Sequence, residues 1–167
     1  MKYIKYIWGL TLLIYLGLNL LTYIYLPEEG VTVLQKTGSS TAIFMTRSDF
    51  FYASMGSLLL VNIFFMTIGN GILYFPKIMV FAPNKEYWYS NEETRNKFVE
   101  IVKGWSKGMA TILTLLLLTA VGAIYQAQGH DPFAFRVEYS PMILWVFAII
   151  WLGCYFFVLK KPNNVTE

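Results

Sequence analysis

Side chains able to do chemistry are few in this sequence and far apart. There is one histidine, His130, followed by Asp131, and one cysteine, Cys154, set inside an apolar run. A metal site on His130 needs ligands from elsewhere, and Glu28, Glu29 and Glu138 are the candidates on its side of the membrane. A loop histidine with no partner at ligand spacing is more often simply solvated. A single cysteine allows no intrachain disulfide. Catalysis needs a nucleophile beside a base, or carboxylates whose pKa values are pushed apart. No spacing here supplies either, so the expectation is a non-enzyme with no cofactor and no metal.

What remains is the long polar interval 75–107, which holds six of the thirteen basic residues. Within it Pro83, Asn84, Lys85, Glu86, Tyr87 and Trp88 stand side by side. Lys85 and Glu86 next to two aromatic rings suit a recognition patch. On the plainer reading Pro83-Asn84 is a turn, and Tyr87 and Trp88 anchor the chain at a membrane–water interface. Ser90 and Glu93 read as a capping box that starts a helix at Asn91, with Glu92 and Glu93 at its positive end. Phe98, Val99, Ile101, Val102 and Trp105 then recur on one face, opposite Arg95, Lys97, Glu100, Lys103 and Lys107. Such a helix lies in the headgroup layer or docks on a bundle. Its Arg95, Lys97, Lys103 and Trp105 either meet a partner or anionic lipid, or belong to a ramp back into the membrane whose lysines snorkel.

The elements that must position these residues are apolar and long. Hydrophobic residues make up 56% of the 167, charged residues 14%, and mean hydropathy is +0.50, which is the composition of an integral membrane protein. Four spans are expected, at 7–26, 50–75, 109–125 and 142–159, giving an all-α, single-domain bundle with the amphipathic helix before the third span and able to run into it unbroken. The first run is long enough to cross the hydrocarbon layer and is followed by Pro27 rather than by a small-residue cleavage site, so it reads as a retained helix and not a signal peptide. In the loop after it, VTVLQ and TAIFMT can pair as a short hairpin around 38–40. Asn19, Asn62 and Asn70 fall inside spans and should face other helices, with Asn19 as partner for either of the others.

The spans lack Asp, Glu, Lys, Arg and His, which argues against active ion transport. The net charge of +3 is small and dispersed, which argues against nucleic acid as a partner. Lysines and arginines divide ten to three, placing both termini and the central interval in the cytoplasm and the first and third loops on the far side. GWSKG at 104–108 fits a small-xxx-small packing pattern and Asn164-Val165-Thr166 fits a glycosylation sequon, but neither enters the reading.

LPEEGV after the first span, MTRSDFF ahead of the second and APNKEYW after it together resemble small bacterial membrane proteins of unknown function that share the N-terminal domain of the immunity protein for a sporulation-delaying toxin. The resemblance covers about residues 26–107. Where that family often carries a histidine and a DG-x-P-D turn, this chain has Val33-Leu34 and TGSSTAIF. The resemblance implies a bacterial inner-membrane location without established enzymatic activity, and for the immunity members protection of the membrane and capture of a cytoplasmic regulator.

The expectation is thus a multi-pass inner-membrane protein acting as a binding or accessory component through 75–107, with membrane lipids and a membrane or cytoplasmic protein as partners. The alternatives are a toxin-immunity or signalling protein, and an accessory subunit of a respiratory or transport complex.

Overall fold

The structure is a computed structural model that describes residues 3–28, 30–35, 42–76, 80–127 and 139–160. Among these residues the chain runs α1 (Ile4–Tyr25), β1 (Val31–Gln35), β2 (Ala42–Met45), α2 (Arg47–Gly71), α3 (Lys85–Trp88), α4 (Glu92–Ala127) and α5 (Ser140–Val158). α1, α2, α4 and α5 are each long and apolar enough to cross a membrane, which makes this a multi-pass membrane protein by length and composition.

Local chemistry sets the ends. α1 stops where Leu26 turns extended ahead of Pro27, because the proline ring excludes the helical conformation from the residue before it. Gly30, at φ +81°, then turns the chain into β1. α2 begins at Arg47, three residues before the expected start. Thr46 caps it, accepting the Asp49 N–H at 3.1 Å while its hydroxyl donates to Asp49 Oδ2 at 2.7 Å. We expect Thr46→Ala to cost about 1 kcal/mol, read as a lower unfolding temperature in mild detergent with the spans still helical by circular dichroism.

The amphipathic segment and the third span are one helix, α4, of 36 residues. At the helical rise it is about 54 Å long, well beyond what a bilayer core needs. α4 is the hub: α1, α2, α5, α3 and β1 all pack on it, and its contacts are the principal ones α5 makes. Small residues let its neighbours close in. Gly69 of α2 sits against Ser106 and the Lys103 backbone, and Gly108 sits against Trp151 and Ile4. The 104–108 pattern therefore serves packing within the chain.

Polarity in α1 is reversed relative to a soluble helix. Its buried residues are Thr11, Tyr15, Asn19 and Thr22, while Leu10, Leu13, Leu20 and Ile24 face outward. This is the arrangement expected where lipid, not water, is the surrounding solvent. Apolar clusters lie toward the two ends. One gathers Tyr15, Leu26, Val31, Phe50, Leu58, Val121 and Tyr125; the other gathers Ile72, Val80, Trp88, Phe98, Val102 and Leu159.

The hairpin forms as VTVLQ against AIFM, antiparallel, pairing Val31 with Met45 and Gln35 with Ala42. Its register shifts between Thr32 and Leu34, so Val33 is an extra residue in the first strand. A two-stranded sheet is marginal alone; this one is supported by α4, against which β1 packs, with Val31 fully buried. The 38–40 turn, the 161–167 tail and the sequon lie outside the described residues.

Candidate functional site

The 80–89 segment is folded onto α4 rather than extended along a membrane surface. Asn84 adopts φ 54°, a left-handed conformation that asparagine tolerates better than most residues, and this turns the chain into the single turn of α3. That turn delivers Trp88 into the interior. Its ring lies 5.9 Å from Phe98 and 5.1 Å from Tyr87, and its indole N–H donates to the Leu159 carbonyl at 3.0 Å. The carbonyls at a helix C-terminus lack partners within the helix, so Trp88 satisfies one at the end of α5 while fastening the central segment to it. Trp88 is only 4% exposed. It contacts its own chain, and neither the interfacial-anchor nor the recognition-patch reading describes where it lies.

The start of α4 is one residue later than expected. Asn91, not Ser90, is the cap: its Oδ1 accepts the Thr94 N–H at 2.8 Å. The Ser90 hydroxyl instead donates back to the Tyr87 carbonyl at 2.8 Å, closing the turn out of α3. Glu93, freed from capping, pairs with Lys97 at 2.6 Å one turn on. That hydrogen bond, and then the charge of Lys97, hold the Glu93 carboxyl below its usual range, and the same contact raises Lys97. The sign follows. The pair helps the folded chain at neutral pH, loses that help as acid protonates Glu93 through its lowered pKa, and loses it again as base neutralises Lys97. Both side chains are exposed, so the effect is local. We expect Glu93→Gln to speed amide exchange at 92–97 near neutrality and to have no effect once the carboxyl is protonated.

The other candidates separate by exposure. Glu86, Arg95 and Lys97 are exposed, as is Asn84, whereas Pro83, Lys85, Tyr87, Lys103 and Trp105 are half-buried. Lys103 has its backbone against Gly69 near the C-terminal end of α2, where a cation suits the negative end of the helix. Trp105 is held within the bundle. It donates to the Trp151 carbonyl at 2.9 Å, Trp151 donates to the Trp105 carbonyl at 3.0 Å, and the Tyr155 ring lies 4.9 Å away. Burial of Tyr89 beside Phe98 raises its phenol, an effect Arg95 partly offsets.

Two polar nodes lie inside the bundle. Tyr15 and Asn19 of α1 both reach Ser54 of α2: the tyrosine hydroxyl lies 2.7 Å from Ser54 Oγ, and the asparagine amide donates to the same oxygen. Nearer the other end, Trp8 donates to Asn62 Oδ1 at 2.8 Å, and Asn62 donates to Thr114 at 3.3 Å. Asn19 therefore pairs with neither Asn62 nor Asn70. α1 and α2 run antiparallel, so Asn19 lies level with Ser54, whereas Asn62 lies level with Trp8 and Asn70 is an exposed residue at the far end of α2. The missed partners Tyr15, Ser54 and Thr114 carried a signal in part: Thr11, Tyr15, Asn19 and Thr22 recur at helical spacing along one face of α1.

At the hairpin end, the two edges of the first loop clasp each other. The Arg47 guanidinium bonds Glu28 at 3.2 Å and the Leu26 carbonyl at 3.5 Å, and lies 4.9 Å over the Tyr23 ring. Among the described residues no three of His, Cys, Asp and Glu come together. Glu29, His130, Asp131 and Glu138 lie outside them. No family model, curated protein or solved structure matches the chain.

Proposed function

We propose that this is a non-enzymatic bacterial inner-membrane protein, with both termini and 75–107 in the cytoplasm, that acts as a binding or accessory component through its central segment. One observation carries the reading. α4 runs on beyond the length a membrane requires, and a second apolar core, centred on Trp88, Phe98, Val102 and Leu159, is assembled on that extension. A loop that only reconnected two spans would need no core of its own. This one presents a folded knob whose exposed rim carries Glu86, Glu92, Arg95 and Lys97. Tyr15, Asn19, Ser54, Trp8, Asn62 and Thr114 commit polar groups to hydrogen bonds between helices, which favours a scaffold over a catalyst. Membrane lipids and a cytoplasmic or membrane protein are the partners this surface suits.

A toxin-immunity or signalling role is the second reading, and the clasped hairpin favours it. A folded surface at the opposite end from the knob gives the chain a place to meet a peptide on the far side of the membrane, in keeping with its resemblance to immunity-domain proteins.

The test is purification in mild detergent from the native host. A stoichiometric partner should accompany the wild type and be lost from the Glu86→Lys, Arg95→Glu double variant without loss of folded protein. If nothing accompanies it and deletion sensitises cells to a peptide toxin, the second reading replaces the first. Orientation is checked on a Cys154→Ser background with single cysteines at Lys85 and His130. An impermeant reagent applied to intact cells should label only the second, and labelling at Lys85 would reverse the topology.

A further inference from the structure

Where α3, the start of α4 and the end of α5 meet, the surface is cut by a groove of about 400 Å³. Its lining is graded in polarity. α4 runs inward from residue 92 and α5 runs outward to residue 158, so Ile101 and Val158 lie on the spanward side, Glu100 lies beside Ile101, and Lys97 and Lys160 lie farther out. A groove with its two cations outermost and its apolar side chains toward the spans, one carboxylate between them, matches an amphiphile at the edge of a bilayer, with its chain inward and its phosphate outward.

The charges narrow the headgroup. Two lysines alone would favour an anionic lipid, but Glu100 also lines the groove and Glu93 is bonded to Lys97 at 2.6 Å. Among the described residues, Lys97 and Lys160 are offset by Glu100 in the groove and by Glu93 paired to Lys97, so net negative charge on a ligand gains little. A headgroup carrying both signs finds a partner for each. Lys160 and Glu100 are exposed, and neither is in an ion pair among the described residues.

We infer that this groove holds an amine-bearing zwitterionic phospholipid, its phosphate on Lys160 and Lys97, its ammonium on Glu100 and an acyl chain along Ile101 and Val158. The inference rests on the proposal that this end of the molecule is its binding end. It does not depend on which compartment that end faces. A primary ammonium donates hydrogen bonds to a carboxylate, whereas a choline headgroup has none to give and a glycerol headgroup lacks the positive charge.

The experiment uses the full chain in nanodiscs containing equal amounts of phosphatidylethanolamine, phosphatidylglycerol and phosphatidylcholine, with retained lipid counted by native mass spectrometry after release into detergent. One retained phosphatidylethanolamine is expected, favoured about tenfold over each competitor, the factor one charge-assisted hydrogen bond supplies. Glu100→Gln should erase that preference. Glu100→Lys should turn it toward phosphatidylglycerol, and Lys160→Gln should weaken retention of all three. Unfolding temperatures should not move, since both positions are exposed. A wild-type preference for phosphatidylglycerol, or an unchanged lipid ratio in Glu100→Gln, overturns the inference. If lipid selection fails while a protein partner still co-purifies, the lipid assignment alone falls; if both fail, so does the binding-end reading.

Discussion

Gly108→Ala should lower the stability of the bundle by about 1–3 kcal/mol, the usual cost of overpacking a filled interior. On propensity alone the change should help, because alanine is favoured over glycine in a helix by up to about 1 kcal/mol. Contact decides the sign. A methyl group at Gly108 would collide with the six-membered ring of Trp151 and with the end of Ile4. Ile4 is a flexible tip and can give way. Trp151 is a rigid ring held by its own hydrogen bond to the Trp105 carbonyl, with Trp105 bonded in return to the Trp151 carbonyl, so moving it breaks the tie between α4 and α5. Two comparisons isolate the cause. Gly56→Ala, where nothing stands near the new methyl, should be neutral or stabilising. Gly108→Ala on a Trp151→Ala background should also become neutral or stabilising. If it destabilises equally in both backgrounds, the indole is not the obstacle. Thermal unfolding in a single mild detergent reads all four variants.

Trp88→Ala should cost more, about 3–5 kcal/mol as for other large aromatic truncations in cores, and should act on one end of the molecule. Trp88 is the largest side chain of the outer cluster and contacts Tyr87 and Phe98 while bonding the last turn of α5. Without it the 80–91 segment loses its hold on α4. The expected readout is rapid tryptic cleavage at Lys85 and Arg95 in membranes, at unchanged membrane insertion and with the hairpin end still protected. Trp88→Phe keeps a six-membered aromatic ring but loses the bond to Leu159 and the volume of the fused pyrrole, so it should cost more than the about 1 kcal/mol of the hydrogen bond yet less than the alanine variant. A protease pattern identical to wild type in Trp88→Ala would show that the outer core is held by something else.

Much of the frame was legible in the sequence because length and polarity suffice to find a span. The four long apolar helices, the continuity of the amphipathic segment with the third of them, and the two strands all follow from patterns read along the chain. Helix starts were less legible. At Thr46 the cap lies four residues ahead of the first continuous apolar run, so hydropathy places the start too late. At Ser90 and Asn91 two competent caps are adjacent, and the choice is made by the turn of α3, which takes the Ser90 hydroxyl for the Tyr87 carbonyl. The place of Trp88 is not legible for a general reason: a tryptophan next to charged residues near a span looks interfacial, and only the fold reveals that Phe98 and Leu159 close over it. The pairing of Asn19 with Ser54 rather than another asparagine needed the vertical register of α1 against α2, which no single-helix pattern contains.

The reversed polarity of α1 also bears on the order in which the protein can be put together. A helix whose polar face is satisfied only by its neighbours is a poor resident of lipid on its own. Tyr15 and Asn19 have their hydrogen-bonding partner in Ser54 of α2, and Trp8 has its partner in Asn62. α1 emerging from the insertion machinery is therefore an unfinished object until α2 arrives, and the pair remains incomplete until α4 supplies Thr114 to Asn62. α5 is different in kind: it buries only Ala148 and presents apolar side chains nearly all round. It is at home in lipid as soon as it is inserted, and is tied to the rest of the chain toward one end, by the reciprocal indole bonds of Trp105 and Trp151 and by Trp88.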